Sequence, residues 1–356
     1  AKGFNTAREN ISKLCSDNLF REYGQLAVAA QRQRRDYEEL QTETAADGVI
    51  TGISPINNEH ITLGARFTSH DTVLIVNDYS VLAGTQGYFH HLKLDRMIEI
   101  ALKKRLPIIM LTEGGGGRPG DTDISTINSG LQCTTFGRWA GLVGKVPRIA
   151  VNNGYCFAGN AALFGAADIT IATTSSFIGM AGPAMIEGGG LGKFSPTDIG
   201  PIDMQAKNGV VDIVAQDENH AIEIAITCLS FFQGHNANWS APEDNALDAV
   251  LPDDRRFVYD MYKVILGIVD TDSFIEIGQQ YGTAIIQGFA RLEGKPIGVI
   301  ASNCKILGGA IDVDAAKKLN RFMKLCDQFS IPIVSLCDTP GFMVGPEHEK
   351  NGAVRY

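Results

Sequence analysis

The stretch that decides the fold is residues 153–168, which read NGYCFAGNAALFGAAD. An apolar segment, 149–151, precedes it, and a second one, 169–172, follows directly. This order predicts a buried strand, a glycine-bearing turn, a helix of small residues beginning at about Gly159, and another strand. A turn that opens a helix leaves the first N–H groups of the helix without partners, so they are available to a ligand.

The sequence before this stretch alternates in the same way. Strands are predicted at 52–56, 72–76 and 107–111, a helix with apolar residues at helical spacing at 88–104, and a glycine loop at 114–120. This alternation indicates an α/β fold in which parallel strands are joined by helices. Residues 6–37, which are polar with spaced apolar side chains, predict a helix.

A duplication organises the whole chain. Residues 81–120 and 306–345 align without a gap at an offset of 225. The identical residues of the first copy are Leu82, Gly84, Lys93, Leu94, Arg96, Pro107, Ile108, Leu111, Gly116 and Gly120. A period this long indicates a duplicated domain. We expect a first domain over 1–265 and the start of a second over 266–356, which is shorter because the sequence stops at Tyr356.

Composition excludes several classes of protein. The net charge of −9 disfavours nucleic acid as a partner, and no apolar run is long enough to cross a membrane. The polar start, AKGFNTAREN, does not resemble a secretory signal. The seven cysteines are scattered, form no CxxC pair and predict a reducing compartment, so we expect a cytoplasmic protein without a metal site.

The stretch 153–168 resembles the signature of the crotonase superfamily, in which backbone N–H groups stabilise the enolate oxyanion of a thioester. The resemblance implies that the amides of Gly159 and Asn160 form the oxyanion hole, with a second donor from the loop around Gly116. A strand-helix packing turn without a ligand is the alternative. Hydratases of this superfamily carry catalytic glutamates where this chain has Ala162 and Gly182. A hydratase is therefore disfavoured.

A wider resemblance narrows the chemistry. The segments 6–11, 78–87, 113–120, 178–183 and 337–342 read TARENI, DYSVLAGTQG, EGGGGRPG, IGMAGP and CDTPGF. Together they are similar to the carboxyltransferase component of biotin-dependent acyl-CoA carboxylases. That family has a duplicated crotonase-like (ClpP/crotonase) ββα-spiral fold. It moves CO₂ from carboxybiotin to the α-carbon of an acyl-CoA through an enolate, and biotin itself acts as the base.

The resemblance also implies partners and a site. Biotin would arrive on a carrier domain or chain served by a biotin carboxylase, and the transferase would form a homo-oligomer, usually a hexamer. The oxyanion pair that faces biotin would lie near position 385, beyond Tyr356. Asn160 departs from the glycine pair usual in the family. The substrate-binding candidates are Gly115, Gly117, Arg118, Ala158, Gly179, Met180, Ala181, Gly182, Lys93 and Arg96.

Alternatives stay open for several of these predictions. Lys93 and Arg96 either meet CoA phosphates or belong to a solvated or structural helix face. Arg118 either contacts CoA or supports the glycine loop. For the whole protein, a biotin-dependent decarboxylase or transcarboxylase subunit is the second hypothesis, and a non-catalytic CoA-binding assembly module is the third. The sequence does not indicate the acyl-chain length.

Overall fold

The computed structural model describes residues 3–15, 19–124, 133–248, 250–254 and 257–356. The strands of this part are β1 (Arg21–Tyr23), β2 (Val49–Pro55), β3 (Ile61–Leu63), β4 (Asp71–Asn77), β5 (Ile108–Leu111), β6 (Arg148–Asn152), β7 (Tyr155–Phe157), β8 (Ile169–Thr173), β9 (Phe177–Gly179), β10 (Ile213–Ala215), β11 (Gly234–Asn236), β12 (Ile275–Glu276), β13 (Ile285–Leu292), β14 (Lys295–Ser302) and β15 (Ile333–Leu336). The α-helices are α1 (Ala7–Leu14), α2 (Tyr37–Glu43), α3 (Tyr88–Lys104), α4 (Thr135–Ala140), α5 (Gly159–Gly165), α6 (Pro183–Gly188), α7 (Ile202–Lys207), α8 (Glu218–Gln233), α9 (Met261–Leu266), α10 (Val313–Phe329) and α11 (Pro346–Lys350). None of the helices in the described residues has the length and apolarity to cross a bilayer.

The first compact unit comprises Ala1–Asn58, Phe67–Gln205 and Val214–Leu229. Its main sheet has the strand order β1-β2-β4-β5-β6-β8-β10. The strands β4, β5, β6 and β8 are parallel, whereas β1, β2 and β4 pair antiparallel. The central strands are buried on both faces, as parallel strands covered by helices are. A small parallel pair, β7 with β9, stands outside this sheet and carries the turn into α5.

The second compact unit comprises Glu59–Arg66, Ala206–Ile213 and Ser230–Tyr356. Its four-stranded sheet has the order β12-β13-β14-β15, and a two-stranded sheet pairs β11 with β3. Phe289 on β13 is fully buried, and its ring centroid lies 5.1–5.5 Å from those of three other phenylalanines. These three are Phe231, Phe232 and Phe322.

The duplication is visible in the backbone. α10 lies 225 residues after α3, and β15 lies 225 residues after β5, with the same lengths. Both helices end at a residue in the left-handed conformation, Arg105 (φ 54°) and Ser330 (φ 56°). In both units an antiparallel strand pair is followed by a parallel strand: β2-β4-β5 and β13-β14-β15. The repeat detected in the sequence is thus one structural unit used twice.

The single helix expected over residues 6–37 is wrong. Thr6 and Glu9 form a capping box that starts α1, but this helix ends at Leu14. Arg21–Tyr23 instead pairs with β2 as an edge strand of the main sheet, and Gly24 adopts a left-handed φ of 70°. Pairing with a distant strand has overridden local helical preference here.

The compact units and the sequence repeat divide the chain differently. Residues 230–265 belong to the second unit, as do two short stretches at 59–66 and 206–213. The predicted domain boundary between residues 265 and 266 stays a prediction.

Candidate active site

The turn between β7 and α5 has an unusual backbone at Ala158, with φ 52° and ψ −118°. A positive φ at a residue with a Cβ, in a sparsely populated region such as this one, costs on the order of 1–3 kcal/mol, and such residues cluster at functional sites. The N–H of Ala158 donates to the carbonyl of Gly179 at 3.0 Å, so it is not available to a ligand. Ala158, one of the substrate-binding candidates, therefore contributes to the shape of the turn through its backbone conformation.

The first N–H groups of α5 have no acceptor in the part of the chain that the structure describes. Within the described residues, no oxygen accepts from the N–H of Gly159 or from that of Asn160. The absence of a Cβ at Gly159 lets two side chains approach its backbone closely, because a Cβ there would lie 2.2 Å from Gln86 Oε1 and 3.1 Å from Phe136 Cζ. These two N–H groups fit the predicted oxyanion donors, and that role stays a prediction.

The glycine loop contacts this turn. A Cβ on Gly116 would lie 2.7 Å from the Cβ of Ala158. The N–H groups of Gly114, Gly115 and Gly116 all donate within the protein, to Tyr155 O at 2.8 Å, Ala83 O at 3.0 Å and Asn160 Oδ1 at 3.0 Å. The N–H of Gly117 has no acceptor among the described residues, and the space around its Cα is open. The free donor of the loop is therefore at Gly117, one residue after the expected Gly116.

Arg118 is buried under the loop, with its side chain 4% exposed. Its guanidinium pairs with the buried carboxylate of Asp47 and donates to the carbonyl of Thr85 at 2.7 Å. Asp121 lies 3.6 Å away. Burial raises the pKa of Asp47, while the Arg118 charge opposes that rise. Of the two roles considered for Arg118, the geometry favours support of the loop.

The two cationic candidates on α3 are not directed toward the turn. Lys93 is 8% exposed, and its ammonium donates to the carbonyls of Ala46, at 2.8 Å, and Val49. Arg96 is on the surface, where it pairs with Glu99 at 3.4 Å. Of the two roles considered for Lys93, the buried ammonium and its backbone acceptors favour the structural one, and a contact with a CoA phosphate stays a prediction.

The segment after β9 flanks the other side of the turn. β9 pairs with β7 in register, with Phe157 opposite Gly179. A Cβ on Gly182 would lie 3.6 Å from the ring of Phe157. Met180 is 72% exposed, so its side chain is open to solvent at this edge. The structure thus brings the candidates Gly179, Met180, Ala181 and Gly182 next to the helix start.

One polar side chain at the site was missed by the sequence analysis. Gln86 is 3% exposed and lies against Gly159, and its Nε2 atom has no hydrogen-bond partner among the described residues. Its backbone brackets the loop, since its N–H donates to the carbonyl of Gly116 at 2.7 Å and its carbonyl accepts from the N–H of Arg118. The residue lies within the motif 78–87, which was the available signal.

Two adjacent histidines on α3, His90 and His91, are buried and half-buried in the protein, respectively. His90 is fully buried, and burial lowers its pKa. His91 Nδ1 lies 3.0 Å from the hydroxyl of Thr135 and 3.4 Å from the thiol of Cys133. In the part of the chain that the structure describes, no group of three or more His, Cys, Asp or Glu is arranged to hold a metal ion.

Comparison with known proteins agrees with this geometry. The family model "Carboxyl transferase domain" matches residues 1–356. Methylmalonyl-CoA decarboxylase subunit alpha of Veillonella parvula is 29% identical, over 100% of this chain and 69% of that protein. A single-chain, multi-domain long-chain acyl-CoA carboxylase superposes with a TM-score of 0.94 and 48% identity, over 99% of this chain and 35% of that one. Transcarboxylase 12S, a hexamer, superposes with a TM-score of 0.83 and 28% identity, over 99% of this chain and 66% of that one.

This chain spans about two thirds of the length of its curated relatives, and 35% of the single-chain carboxylase. The resemblance stated from the sequence is confirmed, and so is the crotonase-like fold. With a family model that covers every residue and a superposition over 99% of the chain, the protein belongs to the carboxyl transferase domain family of biotin-dependent acyl-CoA carboxylases.

Proposed function

We propose that this chain carries the acyl-CoA side of a carboxyltransferase, which moves a carboxyl group from biotin to the α-carbon of an acyl-CoA. The observation that carries the proposal is that the N–H groups of Gly159, Asn160 and Gly117, where the loop and the helix start touch, have no acceptor among the residues described. Donors fixed in this way stabilise negative charge on a thioester oxygen as the enolate forms. Removing one such donor typically lowers the rate by roughly 10²–10³-fold.

Biotin, when brought by a partner domain, would supply the carboxyl group and accept the α-proton. We assign no residue of this chain to biotin. The residues of this chain bind and orient the thioester, and they place no carboxylate at Ala162 or Gly182 that would activate water.

The substrate and the assembly are part of the proposal. The 48% identity to the long-chain acyl-CoA carboxylase favours a long acyl chain. Biotin carrier and carboxylase domains, in the same chain or in partner chains, and a hexamer of transferase units are supported by the single-chain, multi-domain carboxylase and by the transcarboxylase hexamer. A cytoplasmic location stays a prediction from seven unpaired cysteines.

A decarboxylase or transcarboxylase is the second candidate, because methylmalonyl-CoA decarboxylase and transcarboxylase 12S are both relatives over the whole chain. These activities share one half-reaction with the carboxylase, the biotin-dependent loss of the carboxyl group from a 2-carboxyacyl-CoA. Coupling of that loss to sodium transport, or transfer to an oxo-acid, would separate them from an ATP-dependent carboxylase.

The test uses the longest native form of the chain, free biotin, and malonyl-CoA, methylmalonyl-CoA and longer 2-carboxyacyl-CoAs. We expect biotin-dependent loss of the carboxyl group, fastest for a long acyl chain. No loss together with tight CoA binding would overturn the proposal in favour of an assembly module.

The variant Gly117→Pro removes this N–H of the loop, whereas Gly117→Ala keeps it and adds a methyl group that has no atom of the described residues within 4 Å. We expect Gly117→Pro to lose roughly 10²-fold or more in kcat, with Gly117→Ala close to wild type. Equal activity of the two variants would exclude the loop donor. Asn160→Pro is less informative, because it would also remove the side-chain contacts of Asn160.

A further inference from the structure

The side chain of Asn160 ties the glycine loop to the helix start. Asn160 is fully buried, and its Oδ1 accepts from the N–H of Gly116 at 3.0 Å. Its Nδ2 donates to the carbonyl of Thr112 at 3.1 Å and contacts that of Gly84 at 3.4 Å. One side chain therefore contacts three backbone groups, each 44 or more residues away in sequence.

These contacts require an asparagine. The carboxamide offers two N–H donors and one carbonyl acceptor in a plane, and all three meet backbone partners here. A carboxylate would accept from Gly116 but would oppose two carbonyl oxygens. The carboxamide also needs glycine at position 114, because a Cβ there would lie 2.3 Å from Asn160 Nδ2.

The hydrogen bond from Gly116 determines which loop donor is free. With the Gly116 N–H directed to Asn160 and the Gly116 carbonyl accepting from Gln86, the loop continues with the N–H of Gly117 unpaired among the described residues. Gly116 adopts a φ of 90°, which glycine reaches without strain but only as one of many states. Four consecutive glycines, 114–117, lose much backbone entropy when they are held in one conformation, so hydrogen bonds from outside the loop are needed to fix it.

We propose that the Asn160 side chain is a positioning residue, which holds the glycine loop so that the Gly117 N–H meets the same thioester oxygen as the N–H groups of α5. The inference rests on the proposed function and adds a second role to Asn160, whose backbone N–H is already a candidate donor. Oxyanion donors act through preorganisation, so loosening the loop should lower kcat more than it changes KM.

The test compares Asn160→Asp with Asn160→Gly and wild type in biotin-dependent loss of the carboxyl group. Both variants keep the backbone N–H. At pH 8 we expect each to lose roughly 10–100-fold in kcat, with KM changed by less than about threefold. As pH falls toward 6, the carboxyl group introduced by Asn160→Asp can, once protonated, donate to one carbonyl while it accepts from Gly116. The kcat of Asn160→Asp relative to wild type should then rise at least about fivefold, while that of Asn160→Gly stays low.

Asn238→Asp, at an exposed position, is the matched control and should follow the wild-type pH profile. Parallel pH profiles for Asn160→Asp and wild type, or a kcat of Asn160→Gly within about twofold of wild type, would overturn the proposal.

Hydrogen exchange of residues 112–118 gives a readout that does not depend on catalysis. We expect the Gly116 amide to exchange at least about tenfold faster in Asn160→Gly than in wild type, while the amides of β5 stay protected. Unchanged protection of Gly116 would contradict the tie. If wild type shows no biotin-dependent reaction, the proposed function fails, and the exchange experiment still decides whether Asn160 holds the loop.

Discussion

Lys93 and Lys318 occupy corresponding positions in the two copies of the duplicated unit, and both ammonium groups are buried against backbone carbonyls. Lys93 Nζ donates to the carbonyl of Ala46 at 2.8 Å, and Lys318 Nζ donates to that of Ile285 at 2.6 Å. Burial lowers the pKa of each lysine to about 8. The duplication has therefore kept an internal cation in each copy, which explains their recurrence without a ligand.

The first prediction concerns pH and stability. Because the folded-state pKa of Lys93 is lower than that of the unfolded chain, folded protein binds fewer protons between about pH 8 and 10.5. The contribution of Lys93 to the free energy of unfolding is complete above the pKa that the lysine has in the unfolded chain. It is lost as pH falls through the pKa of about 8 that the lysine has in the folded protein. We expect the free energy of unfolding of wild type minus that of Lys93→Met to rise by about 2 kcal/mol from pH 7.5 to 10.

Urea unfolding at several pH values measures this difference, and titration of other groups cancels in it. Lys318→Met should behave in the same way. Lys103→Met is the control, since Lys103 is exposed and pairs with Glu99 at the surface. A difference that does not change with pH would show that the buried lysines keep ordinary pKa values.

The second prediction tests the role of Arg118. Arg118→Ala would leave the Asp47 carboxylate buried and unpaired, so we expect a loss of about 3–5 kcal/mol in the free energy of unfolding. Replacing both residues, as Asp47→Asn with Arg118→Met, should recover part of that loss. Arg96→Ala, on the exposed face of α3, should cost less than about 0.5 kcal/mol.

Calorimetry with CoA and 3′-dephospho-CoA addresses the alternative role. Conservative Arg118 variants that remain folded should lose affinity for CoA and for 3′-dephospho-CoA equally. A loss of affinity for CoA alone would instead assign the Arg118 side chain to the 3′-phosphate of CoA.

The third prediction concerns backbone strain at Ala158. Its φ of 52° is readily adopted by glycine and costs energy for alanine, so Ala158→Gly should raise the free energy of unfolding by about 1 kcal/mol. Ala161→Gly, inside α5, should lower it by about 1 kcal/mol or more, since helical backbone disfavours glycine and a buried methyl group is lost. Chemical denaturation of both variants measures the pair, and equal signs would contradict the strain.

The fourth prediction concerns Gln86. Because its buried Nε2 atom has no partner among the described residues, Gln86→Met should keep or raise the free energy of unfolding, by up to about 1 kcal/mol. Gln205→Met is the control, because Gln205 Nε2 donates to the carbonyl of Ile178 and its loss should cost about 1 kcal/mol. Destabilisation of Gln86→Met equal to that of the control would show that Gln86 has a partner in solution.

Local patterns predicted much of this structure. The helix expected at 88–104 is α3, with the same bounds, and the strand expected within 107–111 is β5. The turn into α5 at Gly159 was also predicted, and it supplies the free N–H groups. These features depend on apolar spacing and on glycine, which act over a few residues, so the sequence carries them directly.

The hydrogen-bond partners at the site could not be predicted in this way. Gly116 and Asn160 are 44 residues apart, and Arg118 and Asp47 are 71 apart. Nothing in either local pattern indicates that these groups meet. The same limitation explains the wrong helix over 6–37, where the partner of Arg21–Tyr23 is the distant strand β2.

The amino-acid sequence by itself therefore determined the α/β class, the duplication at an offset of 225 residues and the glycine-bearing turn. Each of these follows from the spacing of apolar residues, from the repeat of identical residues or from the small size of glycine. Tertiary structure alone decided which loop N–H has no acceptor among the described residues, where the lysine ammonium groups lie, and that Asn160 contacts three distant backbone groups. Such pairings are chosen when the packed sheet brings distant backbone groups together, and burial then requires each polar group to find a partner.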